Sequence, residues 1–89
     1  MPTEVSLSNA YPNPFNPTTS IEFTIPGASS VVISVYDIKG MEVDRLTNQV
    51  YSAGHYSIEW NASGHPSGVY FIQMNSNGFS DTQKIILLK

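Results

Sequence analysis

The sequence predicts an all-β protein, a seven-stranded antiparallel sandwich of two sheets. Three observations carry that prediction. Apolar and polar residues alternate with a period of two along most of the 89-residue chain. The alternating runs recur every 8–12 residues, with Gly, Pro, Asn and Asp between them to make turns. No stretch of useful length carries the 3.6-residue period of an amphipathic helix.

The elements follow in order. "VSLS" (5–8) predicts a short first strand. Next comes "YPNPFNP" (11–17), where Pro12, Pro14 and Pro17 stiffen the chain and push each preceding residue toward extended geometry. The three prolines also remove three backbone donors, which blunts a sheet edge. Their peptide bonds are expected trans, the ordinary isomer. "SIEFTIP" (20–26) sets Ile21, Phe23 and Ile25 on one face against Ser20, Glu22 and Thr24, and Pro26-Gly27 ends it. "SVVISVYD" (30–37) sets Val31, Ile33 and Val35 against Val32, Ser34 and Tyr36. "DIKG" (37–40) reads as a turn, and "MEVDRLT" (41–47) as a weaker strand anchored by Val43 and Leu46. In "HYSIEW" (55–60), Tyr56, Ile58 and Trp60 face inward and His55, Ser57 and Glu59 outward.

"GVYFIQMN" (68–75) and "SDTQKIILLK" (80–89) form the last hairpin, joined through Asn77-Gly78. Asn-Gly favours a type I′ turn because both central residues need positive φ. That turn predicts Asn75 opposite Ser80, Met74 opposite Asp81, Ile72 opposite Gln83 and Tyr70 opposite Ile85. Tyr70, Ile72, Ile85 and Leu87 then share one face, and Phe71, Ile86 and Leu88 the other. Seven strands in a chain of this length fit an immunoglobulin-like count.

Composition narrows the function. The length supports one domain, which buries roughly 60–65% of the surface its unfolded chain exposes. Net charge is −3, and the basic residues Lys39, Arg45, Lys84 and Lys89 stand singly, which argues against nucleic acid and against a polybasic membrane anchor. With no cysteine, disulfides, thiolate metal sites and a Cys nucleophile are excluded. No apolar run approaches the roughly 18 residues that cross a bilayer as a helix. "MPTEVSLSN" lacks the basic start and apolar stretch of a signal peptide. The expectation is a cytosolic protein or a fragment whose export signal lies elsewhere.

Nothing in the chain assembles a catalytic, cofactor or metal site. His55 is outward on its strand, His65 lies in a Gly/Pro loop, and the acidic residues are spread evenly. Tyr56 and Trp60 resemble a sugar-stacking platform in residue type, but their phase with Ile58 places them in the core, the Trp filling the role of a sandwich's buried Trp. Tyr11, Phe15 and Tyr51, in or near loops, are the better surface aromatics. "NAS" (61–63) matches a glycosylation sequon, and Pro14 with Pro17 forms a PxxP, for which a rigid turn is an adequate account.

Taken in order, "LSNAYPNPFNPTTSIEFTIP", "VVISVYDIKGMEV", "AGHYSIEW", "SGVYFIQM" and "KIILLK" resemble the type A C-terminal sorting domain of the type IX secretion system. The motif positions are Tyr11, Pro12, Asn13 and Pro14, then Asp37 and Gly40, then Gly68 and Tyr70, and finally Lys84 at the head of the terminal strand. The likeness runs from Leu7 to Lys89, and the chain ends after "KIILLK", where such domains end. The same blocks are similar to the immunoglobulin-like domain of flagellar hook-capping proteins. The resemblance implies a non-catalytic module at the C-terminus of a larger secreted protein, covalently linked to its cargo. An outer-membrane translocon would read it, and a sortase-like peptidase would cut it off, leaving the cargo on the surface of a Gram-negative bacterium. Physics adds a candidate docking face of Phe71, Ile86, Leu88 and Lys89, because the first three are apolar and point away from the core, and it adds self-association through the edge of the last strand. A structural spacer, hook-cap-like or beside an extracellular enzyme, is the main alternative, and a carbohydrate-binding module the next.

Overall fold

The computed structural model describes residues 5–89; residues 1–4, which open the stretch read above for a signal peptide, lie outside the described residues. The described residues form strands β1 (Ser6–Leu7), β2 (Thr18–Ile25), β3 (Ser29–Asp37), β4 (Glu42–Tyr51), β5 (Gly54–Asn61), β6 (Gly68–Ser76) and β7 (Phe79–Leu87). They build a three-stranded sheet in the order β1-β2-β5 and a four-stranded sheet in the order β4-β3-β6-β7. Every strand pair is antiparallel.

Alternation produces the core directly. Ile21, Phe23 and Ile25 point from β2 toward Val31, Ile33 and Val35 of β3 and toward Ile72, Met74, Ile85 and Leu87 of the last hairpin. Each is at most 1% exposed, so the central strands of both sheets meet in one shared cluster. Full burial of each such side chain contributes on the order of 1.5–3 kcal/mol.

The final hairpin has the register expected from its turn: Asn75↔Ser80, Met74↔Asp81, Ile72↔Gln83 and Tyr70↔Ile85. Asn77 (φ 46°) and Gly78 (φ 87°) both take the positive φ that a type I′ turn demands. The fourth strand differs from expectation. It runs to Tyr51 rather than stopping at residue 47, and its pairing with β3 slips between Ile33 and Ser34 and again between Val35 and Tyr36. Both slips fall in the first half, where Leu46 and Val43 are passed over in the pairing. The second half pairs regularly but carries Asn48, Gln49 and Val50, all exposed, so no alternation marks it as a strand.

Three aromatic assignments change. Phe15 is core, only 2% exposed and 5.7 Å from the Trp60 ring, because its backbone is held beside β7 and its side chain turns in between the sheets. Tyr51 is half-buried, in edge contact with Phe23 (5.2 Å) and Tyr56 (4.7 Å). Trp60 is buried as expected, and its indole N–H donates to the Asp44 carboxylate at 2.9 Å. That bond ties β5 of one sheet to β4 of the other. Tyr56 and Ile58 are only half-buried because β5 is the outermost strand of its sheet. The peptide bonds before Pro12, Pro14 and Pro17 are cis, not trans, a form that only proline adopts at small cost.

Candidate docking surface

The outer face of the four-stranded sheet follows from its registers. Tyr36 of β3 lies beside Phe71 of β6, and Phe71 beside Lys84 of β7. One step along, Val69 lies beside Ile86. Phe71 and Ile86 therefore share a face with Tyr36 and Val69, and all four are half-buried. Leu88 follows the end of β7 and is 55% exposed. Across the sheet from Leu88, at the same end of the strands, Ile38 is 71% exposed on the β3–β4 turn. It stands between two shallow depressions, one of about 320 Å³ against Tyr36, Phe71 and Thr82, the other of about 190 Å³ against Pro66, Val69 and Tyr70. Lys89 does not belong with these residues. Its ammonium donates to the Ser63 carbonyl (2.8 Å) and its N–H to Ser67 Oγ (3.0 Å), which turns it back onto the loop before β6.

The motif residues hold the corner of this patch. The Asp37 carboxylate accepts from the N–H groups of Lys39 (2.9 Å) and Met41 (3.0 Å), closing the turn over itself. Gly40, at φ +83°, supplies the left-handed residue that brings the chain back. Asp37 pairs in register with Tyr70, so two motif blocks far apart in sequence meet here. The Tyr70 hydroxyl donates to the Pro66 carbonyl, four residues upstream, at 2.6 Å. Burial, and secondarily the nearby Asp37 carboxylate, push the Tyr70 phenol above its usual range. Before it, Gly68 at φ +152° begins the strand in a conformation that a side chain would strain.

The proline-rich block, read from the sequence as blunting a sheet edge, lies along the edge of β7. Residues 8–15 run along the outer edge of β7 as a strap. The Asn13 amide donates from Nδ2 to the Lys84 carbonyl (3.1 Å) and accepts on Oδ1 from the Ile86 N–H (3.0 Å). Phe15 continues the contact, its N–H donating to the Ile86 carbonyl (2.9 Å) and its carbonyl accepting from the Leu88 N–H (3.0 Å). From the other side, Gln83 accepts from the Ala10 N–H (2.6 Å) and donates to the Ser8 carbonyl (2.7 Å). Lys84 thus contributes its carbonyl to the strap, while Tyr11, 79% exposed, points outward. The expected self-association through this edge meets an obstacle, because the chain's own strap already occupies it at 84–88.

The outer face of the three-stranded sheet is different. Ser6, Glu22, Thr24, His55 and Ser57 line a groove of about 440 Å³, and Asn9, Tyr11 and Ser20 extend it. Among the described residues, no three His, Cys, Asp or Glu side chains converge as metal ligands would.

Sequence reasoning missed Tyr36, Val69 and Ile38 as neighbours of Phe71 and Ile86, and Asn13 and Gln83 as the fastening of the strap. One signal was available. Gln83 occupies an inward position of the Gln83, Ile85, Leu87 alternation, and an inward amide requires polar partners.

A family model described as the secretion system C-terminal sorting domain matches residues 9–88. No curated protein matches the chain. Among solved structures, the chain is similar to part of the Pseudomonas fluorescens alkylpurine DNA glycosylase AlkC bound to DNA containing an abasic site analog, at 18% identity with a TM-score of 0.58. That likeness covers 97% of this chain and 31% of the glycosylase chain, and at such identity it shows the fold alone.

Proposed function

We infer function from one premise: the chain belongs to the family of secretion system C-terminal sorting domains. The family is a targeting module of type IX secretion, whose signal sends a cargo to the cell surface or out of the cell. The observation that carries the reading is the match across residues 9–88, nearly the whole chain. On our reading the chain is a single non-catalytic module at the C-terminal end of a larger secreted protein. An outer-membrane translocon reads it after passage through the periplasm, and a sortase-like peptidase then separates it from the cargo. We further read the fold as immunoglobulin-like. Two features support this: the strand order β1-β2-β5 over β4-β3-β6-β7, and the Tyr70 hydroxyl bonded back to Pro66 at the start of β6, as in the tyrosine corner of such sandwiches.

We place recognition on the outer face of the four-stranded sheet, around Phe71, Ile86 and Leu88 with Tyr36, Val69 and Ile38. An apolar face that the core does not need suits a partner's surface. The carbohydrate reading loses its platform, since Trp60 is buried and Tyr56 packs on Phe23 and Tyr51. The test is export of a folded reporter fused ahead of the chain in a bacterium with type IX secretion. Surface display is expected from the native chain, and retention from Ile86→Ser/Leu88→Ser with the module still folded by circular dichroism. A native fusion that stays inside would overturn the sorting function. Normal export of the double variant would overturn the docking face alone.

A further inference from the structure

β7 is the outermost strand of the four-stranded sheet, so its outer side would present unpaired N–H and C=O groups to any other chain. Its two halves differ in sequence. The first half carries Ser80, Asp81 and Thr82; from residue 84 the sequence is Lys-Ile-Ile-Leu-Leu. The second half is apolar on both faces, contains no proline and has a single charge, which is the composition of a segment prone to cross-β pairing. The strap covers that half and not the other. Charge and hydroxyls protect the start of the strand, and a covering segment protects its end.

The fastening is made by a side chain. One peptide group of a neighbouring strand would offer β7 one donor and one acceptor. The Asn13 amide offers both, to the Lys84 carbonyl and from the Ile86 N–H, while remaining exposed itself. Aspartate would lack the donor and an aliphatic residue would lack both. Pro12 and Pro14 flank Asn13, so the backbone on either side offers no N–H to a further strand. The strap thereby closes β7 without presenting a new edge at that point.

We propose that the Asn13 side-chain amide is an edge guard, closing the apolar half of β7 against antiparallel pairing with β7 of a second copy of this chain. The second copy is the occupant the sequence favours. With the guard gone, the open edge extends from Ser80 through Lys84 to the Ile86 N–H, about seven residues and the length of an ordinary strand. A two-fold pairing about Thr82 or Gln83 sets Lys84 of one copy opposite Ser80 or Thr82 of the other, so like charges do not meet. With the guard in place only Phe79–Thr82 remains open, too short to hold a pair. The inference rests on this geometry and not on the sorting function.

The test uses the 89-residue chain, sedimentation over a concentration series, and amide hydrogen exchange. The native chain is expected to be monomeric, with the Ile86 and Leu88 amides both protected. Asn13→Ala removes two hydrogen bonds, each contributing about 1 kcal/mol. It is expected to speed exchange at Ile86 about tenfold or more in the dilute monomer while Leu88, still held by Phe15, stays protected. It is also expected to associate at least about tenfold more tightly than the native chain. Asn13→Ala/Ile86→Pro, which removes the freed donor without touching the β6–β7 ladder, is expected to return to monomer. Should Asn13→Ala fail to fold, Asn13→Asp replaces it: it loses the donor to the Lys84 carbonyl and is expected to associate more tightly than the native chain by a smaller factor, while Ile86, whose acceptor remains, stays protected. A folded Asn13 variant that stays monomeric overturns the guard. So does a double variant that associates as strongly as Asn13→Ala, since the contact would then lie elsewhere.

Discussion

The two sheets have equivalent inner faces and opposite outer ones. Inward, both contribute fully buried aliphatic and aromatic side chains to one core. Outward, the β1-β2-β5 sheet shows Ser6, Ser20, Glu22, Thr24, His55, Ser57 and Glu59, the polar exterior expected of an antiparallel sheet facing water. The β4-β3-β6-β7 sheet shows Tyr36, Phe71, Val69 and Ile86, extended at one end by Ile38 and Leu88. Folding does not require the second pattern, since the same core closes over the first. The difference separates the residues that make the domain fold from those left over for contact.

The largest expected effect breaks the comparison at function. Ile86→Ser/Leu88→Ser is expected to abolish surface display of a fused reporter, while Glu22→Gln/Ser57→Ala on the polar face is expected to leave it at the native level. Both variants should stay folded. Equal loss from the two faces would show that export reads the fold as a whole and not one of its surfaces.

How far the sequence discloses this arrangement depends on the range of the interactions. The strands and the last hairpin were legible because they rest on neighbouring residues: alternation in β2, β3 and β5, and an Asn-Gly turn that sets the β6–β7 register. The apolar pairing of Phe71 with Ile86 followed from that register. Tyr36 and Ile38 were not legible as their neighbours, because joining them requires the β3–β6 pairing across more than thirty residues, which no local signal encodes. The strap was opaque for the same reason. Asn13 and Lys84 are 71 residues apart, and "YPNPFNP" carries only turn chemistry when read alone. Phe15 was misplaced at the surface because its loop setting said nothing of the gap between the sheets that it fills.

Stability tests sharpen the same contrast by asking which contacts join the sheets. Phe15→Ala is expected to cost about 3–5 kcal/mol in chemical denaturation, since it empties the space between Trp60 and the end of β7. Gln83→Leu comes next. It leaves the Ala10 N–H and the Ser8 carbonyl without their present partner and is expected to cost about 2 kcal/mol, with faster exchange at the Ala10 amide. A loss no larger than that of a typical exposed polar residue would mean that the strap is held by Asn13 and Phe15 alone.

The smallest effect belongs to Tyr70, where the motif blocks of the apolar sheet's corner meet. Tyr70→Phe keeps the buried ring and removes one hydrogen bond to the Pro66 carbonyl, an expected cost of about 1 kcal/mol. Its pH dependence tells more than its size. Burial first, and the Asp37 carboxylate second, raise the folded phenol above the ordinary 10.0, so the folded state holds this proton more tightly than the unfolded chain does. The associated stability is intact below the unfolded phenol's value and is lost as pH rises from there through the folded one. The native chain should therefore lose stability above pH 10.0 more steeply than Tyr70→Phe, and the two curves should converge. Asp37→Asn should reduce the steepness only in part, because burial is the larger cause. Parallel curves across that range would mean that the Tyr70 phenol titrates alike in both states, and coincident curves that the corner is held without help from its hydroxyl.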